Sequence, residues 1–379
     1  MKLLIQNTKR YIGVIIEMQK KKRDTVVDIM KGILILLVVM AHAQGPGHRL
    51  IYLFHMPVFF MISGYLWGDR NDIEITQFIK RKIVSLYFPY VICNMVYLVW
   101  FLCMPVVFER EMCERTVFGI IYEIIKILLF RGRSSMSDPT WFLSVLFIVN
   151  IVYAIIRKIL YKLILEDRKK YYLSTLSAAV ALTIGYVFYL VDFNIFQVGT
   201  ICSSYAAFHV GNIIRKVIQN HTVLERNKLL YTCLTISAAG GMLILLRVSN
   251  IEIRLISNII VDPLYYCLGM LFGWLVVRYI AIIFDKYHFL RTKFSYLGKH
   301  SMIILCAHFA AFKIIAFVQC IYFDLPLSHV SAFPVVRNEG YWWCAYFMTG
   351  IGVPLLAQYI FMIFKGRIMD HCNEAEQNS

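Results

Sequence analysis

Long apolar stretches, broken by short basic or mixed segments, recur along the whole of this 379-residue chain. A helix needs about 20 mostly apolar residues to cross a bilayer. Runs of that kind fall near 26–44, 50–68, 83–104, 141–159, 171–191, 197–214, 229–246, 262–284, 301–320 and 341–364. No series of short alternating segments suggests a membrane β-barrel. The pattern predicts an all-α, polytopic integral membrane protein of about ten transmembrane helices. The apolar stretch 117–130 is short and carries Glu123 and Lys126, so it reads as an outer-surface or re-entrant helix. One membrane domain, 23–367, is expected between an N-terminal segment, 1–22, and a tail, 368–379, whose polar part from 370 looks disordered. The chain opens without a cleavable signal pattern. Its first 17 residues are weakly amphipathic: either they form an inner-surface helix, or the chain starts at Met18, which opens MQKKKRD.

Composition agrees. Apolar residues make up 59% of the chain and charged residues only 16%, against about 25% charged in soluble domains. The net charge of +16 invites a nucleic-acid reading, but the position of the charge argues against one. With the N-terminus in the cytoplasm, the inner segments hold 27 of the 39 Lys and Arg residues and the outer segments 9. This is the positive-inside bias, and it predicts that both termini are cytoplasmic. Ten cysteines, most of them inside the apolar runs, form no CxxC pair and outline no metal or redox framework. They read as small apolar packing residues.

Ionisable groups inside a membrane are costly, which makes them functional candidates. The first span, VVDIMKGILILLVVMAHAQ, carries Asp28, Lys31 and His42. Lys31 and His42 are eleven residues apart, about 20° around a helix axis and about 16 Å along it. Asp28 lies about 40° off on the other side. The three share one stripe. Either Asp28 and Lys31 form an ion pair near the inner interface while His42 sits among outer headgroups, or the stripe faces a cavity in which His42 serves as general base. The second span, LIYLFHMPVFFMISGYLWG, places His55 at a depth similar to His42. Pro57 there reads as a first-turn or kink proline, and Ser63-Gly64 as a small-residue contact between helices. His308, in LGKHSMIILCAHFAAF, is either a hydrogen-bonded structural residue or a functional one. The basic runs 80–82 and 291–299 on the inner side either set topology or meet a phosphate-bearing ligand.

Two segments, RDTVVDIMKGILILLVVMAH and FHMPVFFMISGYLWG, resemble the opening of acyltransferase family 3, closest to its fucose 4-O-acetylase-like branch. That opening is Asp-x-x-Lys-Gly, a long apolar run and His, then Phe-His-Met-Pro-Leu-Phe-Phe and Ser-Gly-Tyr. Further pieces follow in family order: RKIVSLYFPY, DPTWFLSVLF, FHVGNIIRK and FSYLGKHSMIILCAH, over about residues 23–308. The basic residue eleven before the histidine is often Arg in the family and is Lys31 here. Lys lacks the bidentate fork of Arg.

The resemblance implies a bacterial ten-helix enzyme of the cytoplasmic membrane with no metal. Such an enzyme takes an acyl group, commonly acetyl, from cytoplasmic acyl-CoA and places it on a hydroxyl of a surface or extracellular carbohydrate or its lipid-linked precursor. On that reading Arg81 and Lys82 meet the phosphates of the donor, and Asp28 and Lys31 organise its channel. His42 takes the proton of the attacking hydroxyl or carries the acyl group itself. His55 orients the acceptor or stabilises the oxyanion. Ser63 and His308 are further substrate-site candidates, and Trp141 either stacks on a sugar ring or belongs to an interfacial aromatic belt. The competing reading is a transporter or flippase for a sugar-lipid or small polar solute, which would form no ester.

Overall fold

The computed structural model describes residues 24–68, 74–103, 114–132, 136–191, 197–220, 227–248 and 263–377. The expected N-terminal segment 1–22, with Met18, lies outside the described residues. Among them all regular structure is helical: α1 (Thr25–His42), α2 (His48–Tyr52), α3 (His55–Tyr65), α4 (Ile75–Lys82), α5 (Phe88–Cys103), α6 (Val117–Leu128), α7 (Trp141–Leu163), α8 (Asp167–Leu190), α9 (Val198–Asn220), α10 (Lys228–Val248), α11 (Pro263–Lys286), α12 (His288–Lys299), α13 (Ser301–Tyr322) and α14 (Trp342–Gln377). A π-helical turn, Ile83–Tyr87, joins α4 to α5.

Among the described residues, eight stretches are long and apolar enough to span a bilayer: α1, α4 with α5, α7 with the short turn before it, α8, α10, α11, α13, and α14 as far as Phe364. The chain is therefore a multi-pass helical membrane protein. The other two expected runs are helical but different in kind. The run near 50–68 breaks at Leu53 and Phe54 into α2 and α3. With 11 residues, α3 is about 16 Å long, short of the roughly 30 Å hydrocarbon core. Pro57 sits in its first turn, where a missing N–H breaks no helical bond, and Gly68, at φ 64°, follows its last turn. The run near 197–214 is the 23-residue α9. Its buried polar residues lower its hydropathy. His209 Nδ1 lies 3.1 Å from the Tyr153 hydroxyl, and Asn212 Nδ2 donates to the Gly68 carbonyl at 3.1 Å.

The short stretch after residue 117 is α6, 12 residues and about 18 Å long, with Lys126 Nζ 2.6 Å from a buried Glu123 carboxylate. α14 continues as helix to Gln377, past position 370 where the sequence predicts disorder.

α1 lies at the centre. Asp24 caps it by accepting from Val27 N at 3.3 Å. An apolar helix with its circumference largely buried belongs inside a bundle, and α1 packs against α12, α11, α13, α14 and α3. Two close crossings set this core. At the first, Gly32 of α1 lies against the Phe294 carbonyl of α12, and Gly298 of α12 against the Asp28 carbonyl of α1. At the second, Gly64 of α3 meets the Phe208 carbonyl of α9, and Gly211 of α9 meets that of Met61. The sequence marks Ser63-Gly64 as such a contact, and at Gly64 the backbones do approach closely.

The segment after α13 folds back over the bundle. Lys313 Nζ donates to the carbonyls of Val330 and Ala332 at 2.9 and 3.0 Å. Gln319 Nε2 donates to the Arg337 carbonyl at 3.0 Å, and Gln319 Oε1 accepts from Tyr346 Oη at 2.7 Å.

Candidate active site

The two α1–α12 glycines bring the N-terminal half of α1 and the α12–α13 junction together, and a cavity of about 890 Å³ opens beside them. That volume suits a sizeable small-molecule ligand. At one end it is lined by Asp24, Asp28, Lys31, Lys299 and Arg215. Ser63 lies on the α3 wall, its hydroxyl donating to the Phe59 carbonyl at 3.1 Å. Toward the other end Ile35, Met56 and Leu305 line the cavity. Asp24 to Ile35 spans eleven residues of α1, so the cavity runs about 16 Å along it.

The Asp28–Lys31 pair takes its expected i,i+3 geometry, with Nζ 3.5 Å from Oδ1. The paired residues also line the cavity, whereas His42, farther along the same stripe, does not. Arg215 comes from α9 on the opposite wall. One of its guanidinium nitrogens donates to the Tyr65 carbonyl at 3.0 Å, and the group lies 5.5 Å from the Tyr65 ring centre.

Past this apolar end stand the histidines, none of which lines the cavity. Leu305 is one turn from His308, and Met56 adjoins His55. His42 Nδ1 and His308 Nε2 are 2.8 Å apart, with ring planes within 5° of parallel. His308 is fully buried and His42 is half-buried. His308 Nδ1 donates to the Ile304 carbonyl at 2.9 Å, and His55 Nδ1 donates to the Ile51 carbonyl at 2.8 Å. The Tyr52 ring lies between His42 and His55, 6.2 Å from the first and 5.3 Å from the second. Phe309 packs on both paired histidines, with ring centres 4.8 and 4.5 Å away. Phe333, from the folded-back segment, packs on Phe309 at 4.8 Å.

The structure thus joins Asp28, Lys31 and Ser63 at one cavity and His42, His55 and His308 just past its end. It leaves the other candidates apart. Arg81 Nε donates to the Gln77 carbonyl at 3.3 Å, Lys82 Nζ lies 5.3 Å from the Phe78 ring centre, and neither lines the cavity. Their helix, α4, turns its basic last turn elsewhere. Trp141 does not line it either; its neighbour Phe142 does. Lys299 ends the basic run 291–299, which the sequence offers as either a topology signal or a phosphate contact, and it lines the cavity. The cavity cation that sequence reasoning did not single out is Arg215; it stands in the quoted motif FHVGNIIRK, so position within that motif was the available signal. Tyr52 had no signal beyond its place three residues before His55.

Residues 24–361 match the acyltransferase domain family. The nodulation protein NolL of Mesorhizobium japonicum is 34% identical over 118 residues, covering 27% of this chain and 31% of the relative. NolL of Sinorhizobium fredii is 44% identical over 57 residues, covering 12% of this chain and 16% of the relative. The chain thus spans less than a third of the length of the curated relatives it matches. No solved structure matches it significantly. Because the family's domain runs from the cap of α1 into α14 and takes in the cavity and all three histidines, the chain belongs to the acyltransferase domain family.

Proposed function

We propose that this protein is an O-acyltransferase of the bacterial cytoplasmic membrane. It moves an acyl group, acetyl in the first instance, from acyl-CoA to a hydroxyl of a cell-surface or extracellular carbohydrate. The observation that carries this reading is a single elongated cavity with cations at one end and a histidine pair past the other. Arg215, Lys299 and Lys31 suit the phosphates of a coenzyme A donor. They also lie at the end of α1 that the charge bias makes cytoplasmic. The apolar part, lined by Phe59, Met56 and Leu305, suits the pantetheine arm, whose thioester would then lie toward His42. Arg81 and Lys82, the phosphate candidates from sequence, stand off this path, and Arg215 and Lys299 take that role. Both termini are assigned to the cytoplasm on the charge count.

The chemistry balances as follows. The acceptor hydroxyl attacks the thioester carbonyl while His42 takes its proton. The tetrahedral intermediate collapses, the C–S bond breaks, and the protonated histidine returns the proton to the departing thiolate. The products are the sugar ester and free CoA. His55 uses its Nδ1–H on the Ile51 carbonyl. In the neutral ring only the Nε2 lone pair remains, so it suits accepting a hydrogen bond from a second hydroxyl of the acceptor, which orients the sugar, rather than stabilising an oxyanion. Trp141 is kept as a sugar-stacking candidate on the acceptor side.

The test uses wild type and His42→Ala at equal membrane levels, with labelled acetyl-CoA and polysaccharide from the native host. Base-labile label on glycan with wild type alone supports the transferase. Full activity in folded His42→Ala would overturn the role of His42. Loss of acetyl-CoA binding by wild type would point instead to a sugar-lipid or solute transporter.

A further inference from the structure

We infer that His308 is a positioning residue that holds His42 in its Nδ1–H tautomer and so leaves Nε2 as the bare, proton-accepting nitrogen. The inference rests on the transferase reading for its kinetic consequence, but its structural content stands on geometry alone.

A backbone oxygen can only accept, so the 2.9 Å contact between His308 Nδ1 and the Ile304 carbonyl requires a proton on that nitrogen. A neutral imidazole carries one N–H and one lone pair, which leaves His308 Nε2 as an acceptor. Its partner at 2.8 Å is His42 Nδ1, and two lone pairs cannot share that distance. His42 Nδ1 must therefore carry the proton, and the free lone pair of the neutral pair falls on His42 Nε2. The chain is Ile304 C=O, H–Nδ1 of His308 Nε2, H–Nδ1 of His42 Nε2. It is the order of a nucleophile–base–orienter triad, with an imidazole anchored to a carbonyl in the place a carboxylate fills there. When His42 Nε2 takes the acceptor proton, the Nδ1–H bond to His308 persists, so orientation and charge are supported through the step.

The surroundings agree with that role. The fully buried ring of His308 is the one fixed twice, and the partly buried ring of His42 is the one left with an unpartnered nitrogen. His42 Nε2 has no hydrogen-bond partner among the described residues. Phe309 and Phe312, 4.5 and 5.7 Å from the His308 ring centre, leave that ring little room to swing away.

The experiment is nitrogen-15 NMR of the full chain in lipid bilayers at pH 8, with labelled histidine. The His42 signals are assigned by their loss in His42→Gln. Wild type is expected to show a protonated Nδ1 and a bare Nε2 on His42. His308→Gln, whose amide oxygen reaches about the Nε2 position, should keep that tautomer, while His308→Phe should lose it. In the transfer assay His308→Phe should lower kcat about a hundredfold, as expected for a disabled general base. Its acetyl-CoA Kd should stay within about threefold, and His308→Gln should recover most of the rate. Wild-type His42 with Nε2 protonated and Nδ1 bare, an outcome that needs no substitution at His308, overturns the inference. So does a His308→Phe protein with unchanged tautomer or unchanged kcat. The expected tautomer in a protein that neither binds nor consumes acetyl-CoA would instead sink the transferase reading and leave the hydrogen-bond relay standing.

Discussion

Gly32 and Gly298 face each other across the crossing of α1 and α12: a methyl group built on Gly32 would lie 3.2 Å from Gly298 N, and one built on Gly298 would lie 3.1 Å from Gly32 N. Each would also run into a carbonyl of the opposite helix, that of Phe294 or of Asp28. Lys31 and Lys299, the chain neighbours of these glycines, both line the cavity. The close approach thus builds a cationic end from two segments far apart in the chain.

Alanine at either glycine should force the helices apart. Overpacking of this kind costs about 1–3 kcal/mol, so Gly32→Ala and Gly298→Ala should each lower the thermal midpoint by several degrees and weaken acetyl-CoA binding. Gly240 of α10 has nothing within 4 Å of an added methyl. Gly240→Ala should be neutral or stabilising by about 0.5–1 kcal/mol. Melting curves of the three variants in one detergent check this. Equal losses at all three positions would remove the crossing argument.

Arg215→Ala and Lys299→Ala should raise KM for acetyl-CoA with little effect on kcat. Hydrogen bonds to charged groups contribute about 1.5–3 kcal/mol, which corresponds to roughly ten- to a hundredfold in KM. Arg81→Ala and Lys82→Ala should leave KM near wild type. The reverse pattern would return the phosphates to α4 and empty the cavity of its assigned donor.

Lys313 ties the folded-back segment to α13 through the Val330 and Ala332 carbonyls. Lys313→Met deletes both bonds and leaves the two part-buried carbonyls to find other partners. At about 1–3 kcal/mol for such a loss, amide exchange over 325–337 should quicken roughly five- to a hundredfold, with α1 unaffected. Unchanged exchange in that segment would show that the Gln319–Tyr346–Arg337 bonds hold it alone.

The topology assigned from charge is open to labelling. In a background without other cysteines, Tyr341→Cys should react with a membrane-impermeant maleimide on intact cells. Leu165→Cys should react only after the cells are opened. These positions are 85% and 98% exposed, so access to the reagent reports sidedness rather than burial. The opposite result would invert the chain and place the cationic cavity end outside.

What the sequence determined by itself is what local periodicity carries: a multi-pass helical chain, and the stripe of Asp28, Lys31 and His42, because 3.6 residues per turn place side chains of one helix without reference to any other. The Asp28–Lys31 pair and the first-turn Pro57 were legible for the same reason. Even within one segment the reading had limits. The run near 50–68 is apolar enough for a span, yet Leu53 and Phe54 break it and α3 is a short core helix. Only the tertiary structure decided which elements meet. His42 and His308 are 266 residues apart, and their pairing depends on how α13 lies against α1. Arg215 and Lys299 face a cavity while Arg81 and Lys82 do not, because helix crossings at Gly32–Gly298 and Gly64–Gly211 set which face of each helix turns inward. Those crossings come from the fit of side-chain volumes and backbones between helices, which no spacing within a single helix encodes.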